Sequence, residues 1–277
     1  TPAHSLSSTD QTLRCLVLQT LPHLAGKTWQ PLPGGRINQL WRVGDTVVKR
    51  YSPAGASPLF PNDQEAEAHA LRHLHPAGFA PELLADAPGW IAYRYVHVHK
   101  TPAPPVQIAQ VLARLHSLPV PDIAWRRLNS GNVALRAQGL GIARQCNGAL
   151  PALPLTADLP PAKPCMIHGD AVPGNIIASR RGVTLIDWQC PALGDPCEDI
   201  AAWLSPAMQW LYTGRPLPAG DAAAFLGAFP AATIRRYRTL APLFHWRMAA
   251  HCLWRAERGA ADYREALALE LAALPAA

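Results

Sequence analysis

The chain predicts an α+β fold built as two lobes, a small antiparallel sheet followed by a larger, mainly helical lobe. Three observations carry this. Its 277 residues exceed the usual size of one compact core, so lobes of roughly 100 and 180 residues are the natural division. Short apolar segments separated by turn residues crowd into the first hundred positions, while almost every apolar residue after Ser205 recurs at helical spacing. The texture changes at residues 97–101, just ahead of Pro102, Pro104 and Pro105, which sets the lobes at residues 1–97 and 98–277.

The opening helix is expected over 10–24, where Leu13, Leu16, Val17 and Leu21 share a face behind the cap candidates Thr9 and Asp10. Strands follow at 29–32, 39–43 and 46–51, the last two joined by Gly44-Asp45, a sequence that permits a tight hairpin. A helix at 61–75 carries Leu71 and Leu74, and apolar segments near 81–84 and 90–96 complete a small sheet with one inserted helix. The second lobe opens with a helix at 106–118. Residues 119–164, rich in Pro, Gly and Ala, hold one expected helix at 133–146 and suggest no function. A helical pair at 231–258 and 260–274, broken at Gly259, closes the chain.

Composition narrows the function. At 49% hydrophobic and 16% charged residues the chain can bury a large core and is too apolar for wholesale disorder. It has no run near the ~20 apolar residues of a membrane span and no signal-peptide pattern, so a cytoplasmic protein is expected. The six cysteines never form a Cys-x-x-Cys pair, which argues against a zinc or redox site. The net charge of +6 comes from dispersed Lys and Arg, so neither a nucleic acid nor a membrane is expected as partner.

The densest chemical signal is Ile167-His168-Gly169-Asp170-Ala171-Val172-Pro173-Gly174-Asn175, followed by Leu185-Ile186-Asp187-Trp188. Phosphoryl transfer needs a carboxylate to orient and deprotonate the attacking hydroxyl, an oxygen ligand for Mg²⁺ on the same loop, and a second carboxylate for the metal bridging the phosphates. Asp170, Asn175 and Asp187 have those chemistries in that order. An intervening hairpin, 176–178 and 183–185, would return Asp187 to the loop.

These motifs resemble the catalytic core of the aminoglycoside phosphotransferase and choline kinase family, which shares the protein kinase fold. The resemblance extends to Gly194-Asp195-Pro196-Cys197-Glu198-Asp199-Ile200-Ala201, and it implies that Asp199 braces the catalytic loop and begins a helix. Ala109, Leu112, Leu115 and His116 resemble the helix ahead of that loop. In the first lobe it implies ATP binding, with Lys49 of Val47-Val48-Lys49-Arg50 on the α and β phosphates and a helical carboxylate as its partner. Glu67, four and seven residues ahead of Leu71 and Leu74, fits that role, with Glu65 as the alternative. Gly34, Gly35 and Asn38 lie in the turn that would cover the phosphates. The implied cofactors are ATP and Mg²⁺, with Asp170 as base, Asn175 and Asp187 on the metal, and His168 packing behind the loop.

The acceptor is expected to be a small-molecule alcohol. Trp203, Trp210, Trp246 and Trp254, with Tyr212, Tyr237 and Tyr263, suggest either plain packing or an aromatic cage for a cationic nitrogen, with Trp188 beside the metal aspartate. The terminal segment, 244–258 followed by Asp262-Tyr263, resembles that of choline, ethanolamine and thiamine kinases. An aminoglycoside or amino-sugar kinase is the alternative. It is disfavoured because only ten carboxylates follow Pro161 and five of them belong to the motifs, whereas a polycationic drug calls for an acidic pocket. A protein kinase fits worse, since seven residues separate Asp187 from Asp195, too few for an activation segment. The competing class is a nucleotide-binding pseudokinase acting as an interaction module, against which no catalytic position is visibly replaced.

Overall fold

The strand-forming first third and the helix-forming remainder meet along one continuous core. The structure is a computed structural model that describes residues 8–33, 36–119, 125–180 and 182–275. Helix α1 (Ser8–Thr20) ends ahead of Pro22, which opens a 3₁₀ turn over Pro22–Leu24. The helix expected to reach residue 24 is therefore shortened, because proline cannot donate to a continuing helix. Strands β1 (Trp29–Pro31), β2 (Gln39–Val43) and β3 (Thr46–Arg50) precede α2 (Gln64–Leu74), and β4 (Leu83–Ala87) and β5 (Trp90–Arg94) follow it. The strands form one antiparallel sheet in the order β1-β2-β3-β5-β4, with Lys49 opposite Leu40 on one side and Ile91 on the other.

Period-two alternation decides what each face meets. Trp41, Val43, Val48, Trp90 and Ala92 pack against Leu13, Val17, Leu21 and Leu24 from α1 and the turn after it. Val47, Ile91 and Tyr93 pack instead against Ala68, Leu71 and Leu74 of α2, in a core that continues into the second lobe. Lys49, two residues from Val47, faces that side and is 1% exposed.

In the second lobe α3 (Pro105–His116) and α4 (Asn132–Ala143) precede strands β6 (Cys165–Ile167), β7 (Ile176–Ser179), β8 (Gly182–Leu185) and β9 (Ala192–Gly194), the first two of which flank the 168–175 loop. β7 and β8 form the expected hairpin, and β6 pairs antiparallel with β9. Helices α5 (Cys197–Leu204), α6 (Pro206–Thr213), α7 (Ala219–Leu226), α8 (Ala231–Glu257) and α9 (Tyr263–Ala272) complete the lobe. Helices α4, α8 and α9 pack together. No described helix is long and apolar enough to cross a membrane.

Candidate active site

Lys49 is held from both lobes. Its Nζ donates to Glu67 Oε2 at 2.5 Å, to Asp187 Oδ1, and more weakly to Gln189 Oε1 at 3.4 Å. Burial opposes the charge on Lys49, but Asp187 and then Glu67 overcome it and hold the ammonium well above its ordinary pKa. Glu67 lies on the core face of α2, fully buried, and also accepts from the Tyr51 hydroxyl. Glu65 is exposed on the same helix, so the lysine's partner is Glu67.

The loop after β6 is shaped by backbone demands. Gly169 has φ 79°, and a Cβ there would sit 2.1 Å from the Cys190 carbonyl oxygen, so only glycine fits. Asp199, at the start of α5, takes the backbone N–H groups of His168 and Gly169 at 2.9 and 2.8 Å, and His116 Nε2 lies 2.9 Å from the same carboxylate. Burial would raise Asp199, yet the bond and charge of His116 prevail and hold it below its ordinary value. His168 accepts from Asp170 N at 3.2 Å and donates from Nε2 to the Ile186 carbonyl at 3.0 Å. Both ring nitrogens are thus engaged, burial lowers its pKa, and the neutral ring packs 4.3 Å from Trp188.

Asp170 is 8% exposed, and Asn175 Nδ2 donates to its carbonyl at 2.9 Å and to its carboxylate at 3.1 Å. Burial first, and then the charge of Asp187, push Asp170 up to about 8. Asp187 has φ 62°, the one non-glycine residue with positive φ among those described. Such backbone concentrates where a side chain must be aimed against local preference. With Lys49 on Oδ1 and the side chain 34% exposed, Asp187 keeps capacity for a further partner.

Asn38 extends the site toward the turn between β1 and β2. Its Nδ2 donates to Asn62 at 2.7 Å and to Gln189 at 3.1 Å, while its Oδ1 accepts from Ser52 N at 2.9 Å. Gly34 and Gly35 lie outside the described residues. The neighbouring Arg36 reaches the helical lobe, with Nη1 2.6 Å from Asp262 Oδ2 and Nη2 2.9 Å from the Leu211 carbonyl.

Trp188, Trp203, Trp246 and Trp254, offered by the sequence for the acceptor site, form no shared ring cluster, although Trp254 borders the small apolar cluster that holds Trp246. Trp188 is fully buried, with Nε1 bonded to Leu185 O at 2.9 Å. Trp203 stacks on Phe225 at 4.0 Å in the main core. Trp246 donates to Pro151 O at 2.9 Å and packs against Gly139 of α4, and Trp254 stacks on His251 with the Arg258 guanidinium carbon 4.1 Å from its ring centroid. No ring contact joins any two of them among the described residues. Helical spacing of aromatics here marks core. Besides Trp188, the 168–175 loop is bordered by Tyr212, and Tyr263 packs in the same apolar cluster as Val172 of that loop. A Cβ on Gly174 would meet the Tyr212 ring at 2.2 Å, so the ring lies directly on that loop. The spacing of neither tyrosine distinguished it from the tryptophans, and Arg36 and Gln189 carried no sequence signal beyond their motifs.

A cavity of about 290 Å³ lies behind Gly169 and is walled by Glu198, Ser205, Arg247 and Glu270. Its charges are paired internally. Arg247 Nη1 lies 3.1 Å from Glu198, and Glu270 takes His245 Nδ1 at 2.6 Å.

For magnesium, Asp187 and Asn175 offer hard oxygen donors and no thiolate, which fits that ion. Among the described residues no group of three or more His, Cys, Asp or Glu could hold a metal. A few protein ligands supplemented by phosphate oxygens is the usual Mg²⁺ arrangement.

Comparison with known proteins agrees with this geometry. The model of the phosphotransferase enzyme family matches residues 28–243. The thiamine kinase of Salmonella typhimurium is 29% identical over 193 residues, a match spanning 66% of this chain and 66% of that protein. Among solved structures, a choline/ethanolamine kinase family protein from Mesorhizobium loti superposes with a TM-score of 0.68 at 19% identity, covering 96% of this chain and 92% of the other. An ADP-bound aminoglycoside phosphotransferase gives 0.63 at 13% identity, over 96% and 98%. At these identities the two structures establish the bilobal kinase-like fold.

Proposed function

Because the chain belongs to the phosphotransferase enzyme family, we propose that it transfers the terminal phosphoryl group of ATP to the hydroxyl of a small cationic alcohol. Supporting this reading above all is the placement of two bonded groups drawn from both lobes, Lys49 with Glu67 and Asp187, and Asn175 with Asp170, near enough that the charges of Asp187 and Lys49 both act on Asp170. Lys49 would bind α and β phosphate oxygens while Glu67 fixes its position. Asp187 and Asn175 would hold Mg²⁺, which when bound neutralises charge on the phosphates. Asp170 would orient the acceptor hydroxyl and take its proton as the oxygen attacks phosphorus. A carboxyl group held near pH 8 is matched to a base working near neutrality, with nearby cations lowering it into its ionised form. Asp199 and His168 would position that loop without touching the reactants.

A cationic acceptor is favoured by the aromatic pair Tyr212 and Tyr263 beside the catalytic loop, with Asp262 adjacent. The thiamine kinase relative points the same way, since thiamine joins a permanent cation to a primary hydroxyl. The test is an ADP-release screen with Mg²⁺ over thiamine, choline, ethanolamine, homoserine, amino sugars and kanamycin, ranked by kcat/KM. Preference for thiamine or another small cationic alcohol is expected. Selectivity for neutral sugars would reject the acceptor class, and ATP·Mg²⁺ binding without turnover on any alcohol would favour the interaction module.

A further inference from the structure

Arg36 belongs to the turn expected to cover the nucleotide phosphates, yet its charge is spent on the helical lobe. The guanidinium carbon lies 5.3 Å from the centroid of Tyr212 and 5.5 Å from that of Tyr263. Its nitrogens reach Asp262 at 2.6 Å and the Leu211 carbonyl at 2.9 Å. Two aromatic rings, a carboxylate and a carbonyl are what an alkylammonium or other organic cation would need in order to be held. Tyr263 is 5% exposed, and Tyr212 rests on Gly174 of the loop that carries Asp170, so the group so enclosed stands at the acceptor side of the site.

We infer that Arg36 is a tethered cation occupying the seat of the acceptor's nitrogen, and that it sets selectivity because an acceptor binds there only by displacing it. This rests on the cationic-acceptor reading above. The seat can be filled either from within the chain or by a ligand, so apparent affinity is reduced by the fraction of time Arg36 holds it. A neutral alcohol cannot replace the guanidinium beside Asp262 and leaves the seat closed.

The test uses the full chain without ATP, so that it does not depend on turnover. Tetramethylammonium and ethylguanidinium are titrated calorimetrically into the wild type, Arg36→Met and Arg36→Lys. If Arg36 fills the seat nine-tenths of the time, Arg36→Met binds both cations about tenfold tighter than wild type. Arg36→Lys, which keeps a tethered charge, stays near the wild-type affinity. Adding Asp262→Asn to Arg36→Met abolishes the gain, and tert-butanol, a neutral probe, shows none. Equal or weaker cation binding by Arg36→Met would overturn the inference and leave Arg36 as a strut between lobes. Failure of the kinase reading is separate: it appears as absent ADP release in the wild type, whatever the calorimetry shows.

Discussion

On the proposed phosphate side of the site, Lys49, Glu67, Asp170 and Asn175 are buried and Asp187 is partly exposed, with Lys49 bonded to Glu67 and Asp187 and Asn175 bonded to Asp170. On the proposed acceptor side, Arg36 meets Asp262 across 226 positions of sequence, in a partly exposed cluster of rings and one carboxylate. The first region places like charges close together in a dry setting and depends on cations to tolerate it. The second uses neutral aromatic surface and pairs its one acid with an arginine. Preorganised charge serves transition-state stabilisation best where water is excluded, whereas a seat that must exchange occupants works better with contacts that are individually weak.

Removing the base tests the first region most sharply. Asp170→Asn keeps the shape of the side chain and loses the proton acceptor, so turnover should fall by ~10³-fold while ATP·Mg²⁺ still shifts the melting temperature. An ADP-release assay and a thermal shift on the same protein check this, and undiminished turnover would withdraw the base assignment.

Next in size is the brace. Asp199 takes two backbone N–H groups and faces His116 in the interior. In Asp199→Asn, an amide can accept on one atom only, which leaves a buried donor facing another donor. A loss of ~3 kcal/mol in urea denaturation is expected, with the loss of turnover reversed by no concentration of acceptor. A variant as stable as the wild type would show that the loop holds itself.

The third prediction concerns the cost of the first region's design. Asp170 sits at about 8 in the folded protein against an ordinary 3.8. Between those values the folded state binds more protons than the unfolded chain, so this carboxyl lowers stability progressively as pH rises through that window. Asp170→Asn cannot ionise and should therefore be the more stable protein by ~2 kcal/mol at pH 8, with the advantage gone below pH 4. Denaturation midpoints across that range check it, and an advantage that does not vary with pH would show that the carboxyl is not strained.

How much was legible in the sequence follows the same divide. The registers of β2 and β3 and the position of Lys49 were readable because a two-residue turn and period-two burial leave one arrangement. Glu67 was preferred over Glu65 through the family resemblance, which sets a glutamate four and seven residues ahead of two leucines, and the burial of Glu67 beside Leu71 and Leu74 on α2 is what separates the two. The β6–β9 pair and the separate helices α6 and α7 were not readable, since three-residue strands carry no periodicity and helices of eight residues starting at Pro206 and just after Pro218 are too short for helical spacing to mark. The aromatic seat was illegible for a stronger reason. Tyr212 is distinguished from Trp203 only by Gly174 lying beneath it, a contact made by tertiary packing.

The smallest effect asked of the comparison is therefore at Trp246, which the sequence offered as a cage residue and the structure packs between α4 and α8. Trp246→Phe gives up the bond to the Pro151 carbonyl and some contact with Gly139, so stability should fall by ~1–2 kcal/mol. The acceptor KM should stay within twofold of wild type, because neither contact reaches the catalytic loop. Measuring both on one preparation separates packing from recognition. A KM raised tenfold in a protein of wild-type stability would return the tryptophan to the acceptor site and remove the reason for placing the cation between Tyr212 and Tyr263.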